Sequence, residues 1–216
     1  MRTVFTFVCV ILCSGIFVSF HAPAEWKLQK KEQGISVYTR MAENSKYKEL
    51  KSVTQYKASL SAVIAVINDR ASYPNWVYRC GECKVIKKIS ATDLYQYQTV
   101  VAPWPVENRD FVVHYQLSQD PKTKVINIHS SCHPNFYPLQ EKHVRIQEFR
   151  AQWIISPLPN GYVNVEYQLL VNPGGNIPAW LVNLAVVDGP FETALGMKEW
   201  IKKDIYQQAK LPYIVD

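Results

Sequence analysis

The stretch Asn172-Pro173-Gly174-Gly175-Asn176-Ile177-Pro178-Ala179-Trp180-Leu181-Val182-Asn183 joins a strand-like run to a helix-like run through one specified link. Upstream, Val163, Val165, Tyr167, Leu169 and Val171 alternate with Asn164, Glu166 and Gln168, the period of a half-buried strand. Pro173 stops that strand, and the two glycines open backbone conformations closed to other residues. Pro178 stands where a first helical turn tolerates proline. Beyond it, Ile177, Trp180, Leu181, Leu184, Val187, Phe191 and Leu195 recur at three- and four-residue spacings, and less regularly Trp200, Ile201 and Ile205. The spacing predicts one long helix with a broad apolar face, and its two-glycine link points to a closing lid.

Working outward, Ile35–Tyr38 and Tyr47–Lys57 read as strands separated by the polar turn Glu43-Asn44-Ser45. Trp26–Gln33 reads as a short helix or an irregular lead-in. Ser59 is placed to cap a helix over Leu60–Asp69, in which Val63, Ile64 and Ile67 share a face. Further strands are expected over Lys84–Ile89, Leu94–Val101, Phe111–Gln119, Lys124–Ser131 and Val144–Ile155. Pattern alone therefore gives an α+β domain: a curved antiparallel sheet, one inserted helix and one terminal helix.

At the N-terminus, Arg2, the apolar run Val4–Phe20 and Ala22-Pro23-Ala24 follow the order of a cleavable signal peptide, cut before Glu25. A secreted or periplasmic protein is expected, with residues 1–24 as leader and 25–216 as one domain. The chain carries +6, and loss of the leader removes Arg2 and no acid, leaving +5. Its lysines are scattered, so a nucleic-acid partner is excluded for want of a basic stripe. Cys80-Gly81-Glu82-Cys83 has the spacing of a redox pair or half a zinc site. Three thiols after the leader do not complete four zinc ligands, and export favours a local disulfide over free structural thiols. His129, Cys132 and His133 read as structural rather than metal-binding, while nucleophile-elbow, zinc-helix, Walker and dinucleotide motifs are absent from the sequence. No catalytic residue, metal or cofactor is expected.

Three blocks carry a resemblance to a known family: Asn172–Asn183, Tyr73-Pro74-Asn75-Trp76-Val77, and Pro103-Trp104-Pro105-Val106-Glu107-Asn108-Arg109-Asp110-Phe111-Val112. In order and spacing they resemble the START (steroidogenic acute regulatory protein-related lipid-transfer) domains, most of all the phosphatidylcholine-transfer branch, over roughly Trp26–Lys210. The resemblance implies a helix-grip fold, in which the sheet wraps the terminal helix around an internal cavity. It implies that the inward faces hold Gln96 and Gln98 on one strand and Phe111, Val113 and Tyr115 on the next. It also implies that Arg109 and Asp110 stabilise the fold as a charge pair or through loop contacts.

In the phosphatidylcholine-transfer branch three aromatics cage the choline by cation–π attraction; the matching positions are Gln98, Phe111 and Phe149. Its phosphate-binding Tyr and Arg match Ile67 and Tyr73, so that headgroup specificity is not carried over. The sterol branch's buried acid–Arg pair matches Gln96 and Tyr115, which either bind a ligand hydroxyl or carbonyl or satisfy one another. Trp180, Leu184 and Phe191 are the helix residues expected to line the cavity or its lid. The implied partner is a lipid or other apolar molecule, carried or sensed by a monomer that touches membrane surfaces transiently. A cyclase- or aromatase-like enzyme using the same cavity, or a protein-interaction module with a filled cavity, are the alternatives.

Overall fold

The computed structural model describes residues 24–216, without the side chains of Leu184 and Ala185. The expected leader lies outside the described residues, and so does any lining by Leu184.

Ten strands form one sheet: β1 (Lys27–Glu32), β2 (Ile35–Met41), β3 (Lys48–Lys57), β4 (Cys80–Lys88), β5 (Asp93–Val100), β6 (Asn108–Gln119), β7 (Ile126–Cys132), β8 (His143–Arg145), β9 (Glu148–Leu158) and β10 (Tyr162–Asn172). Their order is β1-β2-β3-β10-β9-β7-β6-β5-β4, antiparallel throughout, with short β8 lying parallel to the start of β6. Between β3 and β4 come α1 (Leu60–Asn68) and α2 (Tyr73–Trp76); after β10 come α3 (Ala179–Ala185), α4 (Asp188–Trp200) and α5 (Asp204–Gln207).

Alternation places one row of side chains across the concave face. Tyr115 of β6 stands opposite Ser130 of β7, Ser130 opposite Ala151 of β9, Ala151 opposite Leu169 of β10, and Leu169 opposite Leu50 of β3. Because side chains repeat every second residue, this register turns the whole row toward the helices. The helix α1 starts where expected: Ser59 Oγ accepts the Ala62 N–H at 3.1 Å, and Val63, Ile64 and Ile67 are buried.

Four expectations are corrected. Trp26–Gln33 is neither helix nor coil: Lys27–Glu32 is an edge strand whose two wet faces erase the alternation signal. Val144–Ile155 is two strands, β8 and β9. The terminal helix is broken after Ala185, because Pro190 has no N–H for the Val186 carbonyl and its ring crowds that turn. Pro190 is tolerated only because it falls in the first turn of a new helix, where N–H groups have no intrahelical partner anyway.

Finally, Cys80 and Cys83 are free, buried thiols on β4 rather than a disulfide. Cys80 pairs with Val100 and Cys83 with Gln98, so one extra residue bulges and both side chains turn inward. Three residues of extended chain set their Cα atoms up to roughly 10 Å apart, whereas a disulfide spans about 7 Å at most. Burial pushes the Cys80 thiol up to about 11 and raises Cys83 as well, so neither is a thiolate at neutral pH.

Candidate functional site

A cavity of about 540 Å³ lies between the concave sheet face and α2, α3 and the start of α4. The sheet supplies its floor through the row just described, together with Gln96, Gln98, Val113, Phe149, Trp153, Tyr167 and Val171. The roof comes from Ile177, Leu181, Val182 and Val186, then from Gly189, Pro190 and Thr193.

The link before the roof is built for one shape. Gly174 and Gly175 both have φ of +66°, the left-handed region, and the Gly174 N–H donates to Asn172 Oδ1 at 3.1 Å. Arg109 holds the same link from below: its Nε donates to the Pro173 carbonyl at 3.4 Å and its Nη1 to the Glu107 carbonyl. Asp110, its neighbour, faces the other way. Asp110 pairs not with Arg109 but with Arg145, both of whose bonds to the carboxylate measure 2.9 Å, and Arg145 also donates to the carbonyls of Pro134, Tyr137 and Pro138.

Of the nine expected site residues, Gln96, Gln98, Val113, Tyr115 and Phe149 line the cavity. Phe111 shares their face but is stacked on Phe149 at 4.9 Å and does not line it. Trp180 is 65 % exposed, because the roof face of α3 runs through Leu181 and Val182 and leaves Trp180 beside it. Phe191 lies beyond the helix break, in a new phase, and packs on Ile35 and Val37 of β2.

Gln96 and Tyr115 do not satisfy one another. Both are engaged by a residue the sequence reading passed over, Arg70, which follows α1 and is 5 % exposed. Its Nε donates to Gln96 Oε1 at 3.1 Å, its Nη1 to Asn68 Oδ1 at 2.8 Å and to the Asn68 carbonyl at 3.0 Å. The guanidinium lies 4.6 Å from the centroid of the Tyr115 ring, and the Tyr115 hydroxyl donates to Asn68 Oδ1 at 3.1 Å. Burial raises the phenols of Tyr73, Tyr115 and Tyr167, so all three stay neutral donors at the cavity. Trp153, tilted against Tyr167 with ring centroids 4.3 Å apart, was also missed; its alternation was legible, but the strand's inward face was not assigned.

Comparison with known proteins bears on this arrangement. The START domain model matches residues 21–203. The chain belongs to the START domain family. It is 34 % identical over 195 residues to an uncharacterised protein of Pseudomonas aeruginosa, covering 89 % of this chain and 96 % of that one. It is 28 % identical over 171 residues to the phosphatidylcholine transfer protein of Bos taurus, covering 77 % and 79 %. Among solved structures, a STAR-related lipid transfer protein of Xanthomonas axonopodis superposes with a TM-score of 0.77 at 32 % identity, covering 82 % of this chain and 99 % of that one. The human StAR-related lipid transfer protein 5, 15 % identical with a TM-score of 0.74, shares the fold. The START fold accounts for a curved antiparallel sheet closed by C-terminal helices around a cavity.

Proposed function

We propose that this START domain holds one lipid molecule in its cavity and carries or senses it in an exported compartment, without converting it chemically. The observation that carries the reading is the apolar cavity of about 540 Å³ between sheet and roof, within the range of ligand pockets. Each ligand methylene withdrawn from water there contributes about 0.8 kcal/mol. Lipid-transfer relatives among the comparisons support the same reading. Val101 and Leu181 line the cavity yet are 46 % and 43 % exposed, so the apolar wall continues to the surface, which suits loading at a membrane. The leader-like first 24 residues support export.

Native mass spectrometry of protein purified from its own source, followed by organic extraction, tests the reading. A bound lipid at one per chain is expected. Protein that carries none, and takes none from mixed vesicles, refutes it. N-terminal sequencing of the mature form tests export: a chain starting at Glu25 in the exported fraction is expected, and an intact chain confined to the cytosol overturns it.

A further inference from the structure

Three arginines are buried among the described residues. Arg109 lines the cavity and donates to the Pro173 and Glu107 carbonyls, while Arg145 and Arg70 are of opposite character. Arg145 is saturated, with a bidentate carboxylate and three carbonyls. Arg70 has only neutral acceptors, Gln96 Oε1 and two oxygens of Asn68, and among the described residues no carboxylate lies within ion-pairing distance of it. The adjacent carboxylate, Asp69, accepts instead from the Tyr206 hydroxyl at 2.7 Å. Arg70 Nη2 is buried with no hydrogen-bond partner. A buried cation without a counterion is costly, and a buried guanidinium N–H without an acceptor adds to that cost. Such a group in a native fold calls for an explanation.

Two of the side chains that Arg70 touches, Gln96 and Tyr115, are cavity wall, and Tyr73 beside them is as well. The unsatisfied donor therefore belongs to a side chain seated behind Gln96 and Tyr115, at one polar stretch of a mainly apolar cavity whose wall also includes Arg109. We propose that the ligand is an anionic amphiphile, an acyl lipid ending in a carboxylate or phosphate monoester, whose oxyanion enters between Gln96 and Tyr115 and accepts from Arg70 Nη2. The guanidinium fork suits that geometry, since it presents parallel N–H groups to paired oxygens. Its plane is already fixed by Tyr115 on one side and by Asn68 and Gln96 at its edges, so little ordering remains for the ligand to impose. The acyl chain then extends along the Ala151–Leu169–Leu50 row toward the roof. This assignment rests on the reading of the cavity as a lipid site and specifies its headgroup class.

Three ligands with one chain and different ends separate the two claims: oleate, oleyl phosphate and oleyl alcohol, offered to the delipidated full protein, with inorganic phosphate as a chainless arm. Hydrogen bonds to a charged group translate to a preference of about 10- to 100-fold for the two anions over the alcohol. In Arg70→Gln the three affinities are expected to converge. Should that variant not fold, Arg70→Lys, which keeps the charge but not the fork, must narrow the preference. Equal affinities in the wild-type protein, or a preference of undiminished size in either variant, overturns the headgroup assignment; inorganic phosphate binding as tightly as oleyl phosphate leaves the chain without a role and overturns the lipid reading. If none of the three chains binds, the lipid reading itself fails; if the alcohol binds as well as the acids, only the headgroup assignment does.

Discussion

Asp110→Ala is expected to be among the most destabilising single substitutions in this fold. Asp110 and Arg145 have side chains 1 % and 3 % exposed, and two bonds of 2.9 Å join them. Removing the carboxylate leaves a buried guanidinium facing only the carbonyls of Pro134, Tyr137 and Pro138. Breaking a buried pair in this way costs about 3–5 kcal/mol; the three remaining acceptors place the loss near the lower end, ~3 kcal/mol, which is a large part of the stability of an ordinary domain. Equilibrium urea unfolding measures it: with a slope near 2 kcal/mol/M, the midpoint falls by about 1.5 M at unchanged slope. Replacing both partners, Asp110→Leu with Arg145→Met, should cost less than Asp110→Ala, because no lone charge is left behind. An Asp110→Ala protein within about 1 kcal/mol of wild type would refute the reasoning, since the pair would then be exchanging with water rather than buried.

Gly196→Ala tests the closest approach of the roof to the inserted helices: a Cβ there would lie 2.3 Å from the Trp76 carbonyl oxygen, so α4 must shift, at a cost of about 1–3 kcal/mol or more; an unchanged melting temperature would contradict that packing. Asn183→Ala removes the Lys48 N–H bond to Asn183 Oδ1 at 2.8 Å and the bond from Asn183 Nδ2 to the Lys46 carbonyl at 3.1 Å, which tie α3 to the start of β3. At about 1 kcal/mol per lost bond, stopped-flow release of a fluorescent fatty acid should quicken several-fold, and an unchanged rate would argue that α3 does not move. Asp93 accepts from His114 at 2.6 Å, and that bond first, with Gln116 adding to it, holds its carboxyl below the usual range. A depressed folded-state pKa contributes stability above the unfolded value, near 4, and loses it as pH falls through the folded one. The stability gap between wild type and Asp93→Asn, followed by urea unfolding, should therefore be widest at neutral pH and close below about pH 4; a gap constant into strong acid would exclude the linkage.

How far the sequence could be read depended on whether local pattern and tertiary context agreed. In β10 they agree: Val163, Val165, Tyr167, Leu169 and Val171 alternate because one face meets the interior, and the last three of them line the cavity. Ser59 likewise declares its cap through a purely local bond. They disagree at the terminal helix, where apolar spacing continues across Val186-Val187 although Pro190 forbids a continuous backbone, so Trp180 and Phe191 were placed in one phase that the break divides into two. Arg70 was beyond reach for a different reason. In Asn68-Asp69-Arg70-Ala71-Ser72 it looks like the polar end of a helix, and only the β5–β6 register, which sets Gln96 and Tyr115 nearby, turns it inward. The cysteine spacing misled because a C-x-x-C reading presumes a turn or helix, while a bulged strand holds these two apart.

The break in the terminal helix also divides the roof mechanically. Four contacts fix α4: Gly196 lies against Trp76, the Tyr56 hydroxyl donates to the Ala194 carbonyl at 3.0 Å, Lys198 Nζ donates to the Gln33 carbonyl at 2.7 Å, and Phe191 fills a pocket on β2. Swinging it away would expose Phe191 and Met197, now 3 % and 1 % accessible, at about 1.5–3 kcal/mol for each such side chain. The shorter α3 has joints at both ends, the left-handed Gly174-Gly175 pair before it and the Pro190-imposed break after it. Among its described side chains, Ala179 and Val182 pack on Ala42, Tyr47 and Leu170, Asn183 supplies two hydrogen bonds, and Trp180 and Leu181 already face solvent. Lifting α3 uncovers Ile177, Leu181, Val182 and Val186 from the cavity while α4 keeps the core closed. The cheapest opening of this START domain is therefore a movement of α3 about its two joints, and Pro190, by breaking the helix where it does, confines that opening to the part of the roof that can be lifted without unfolding the domain.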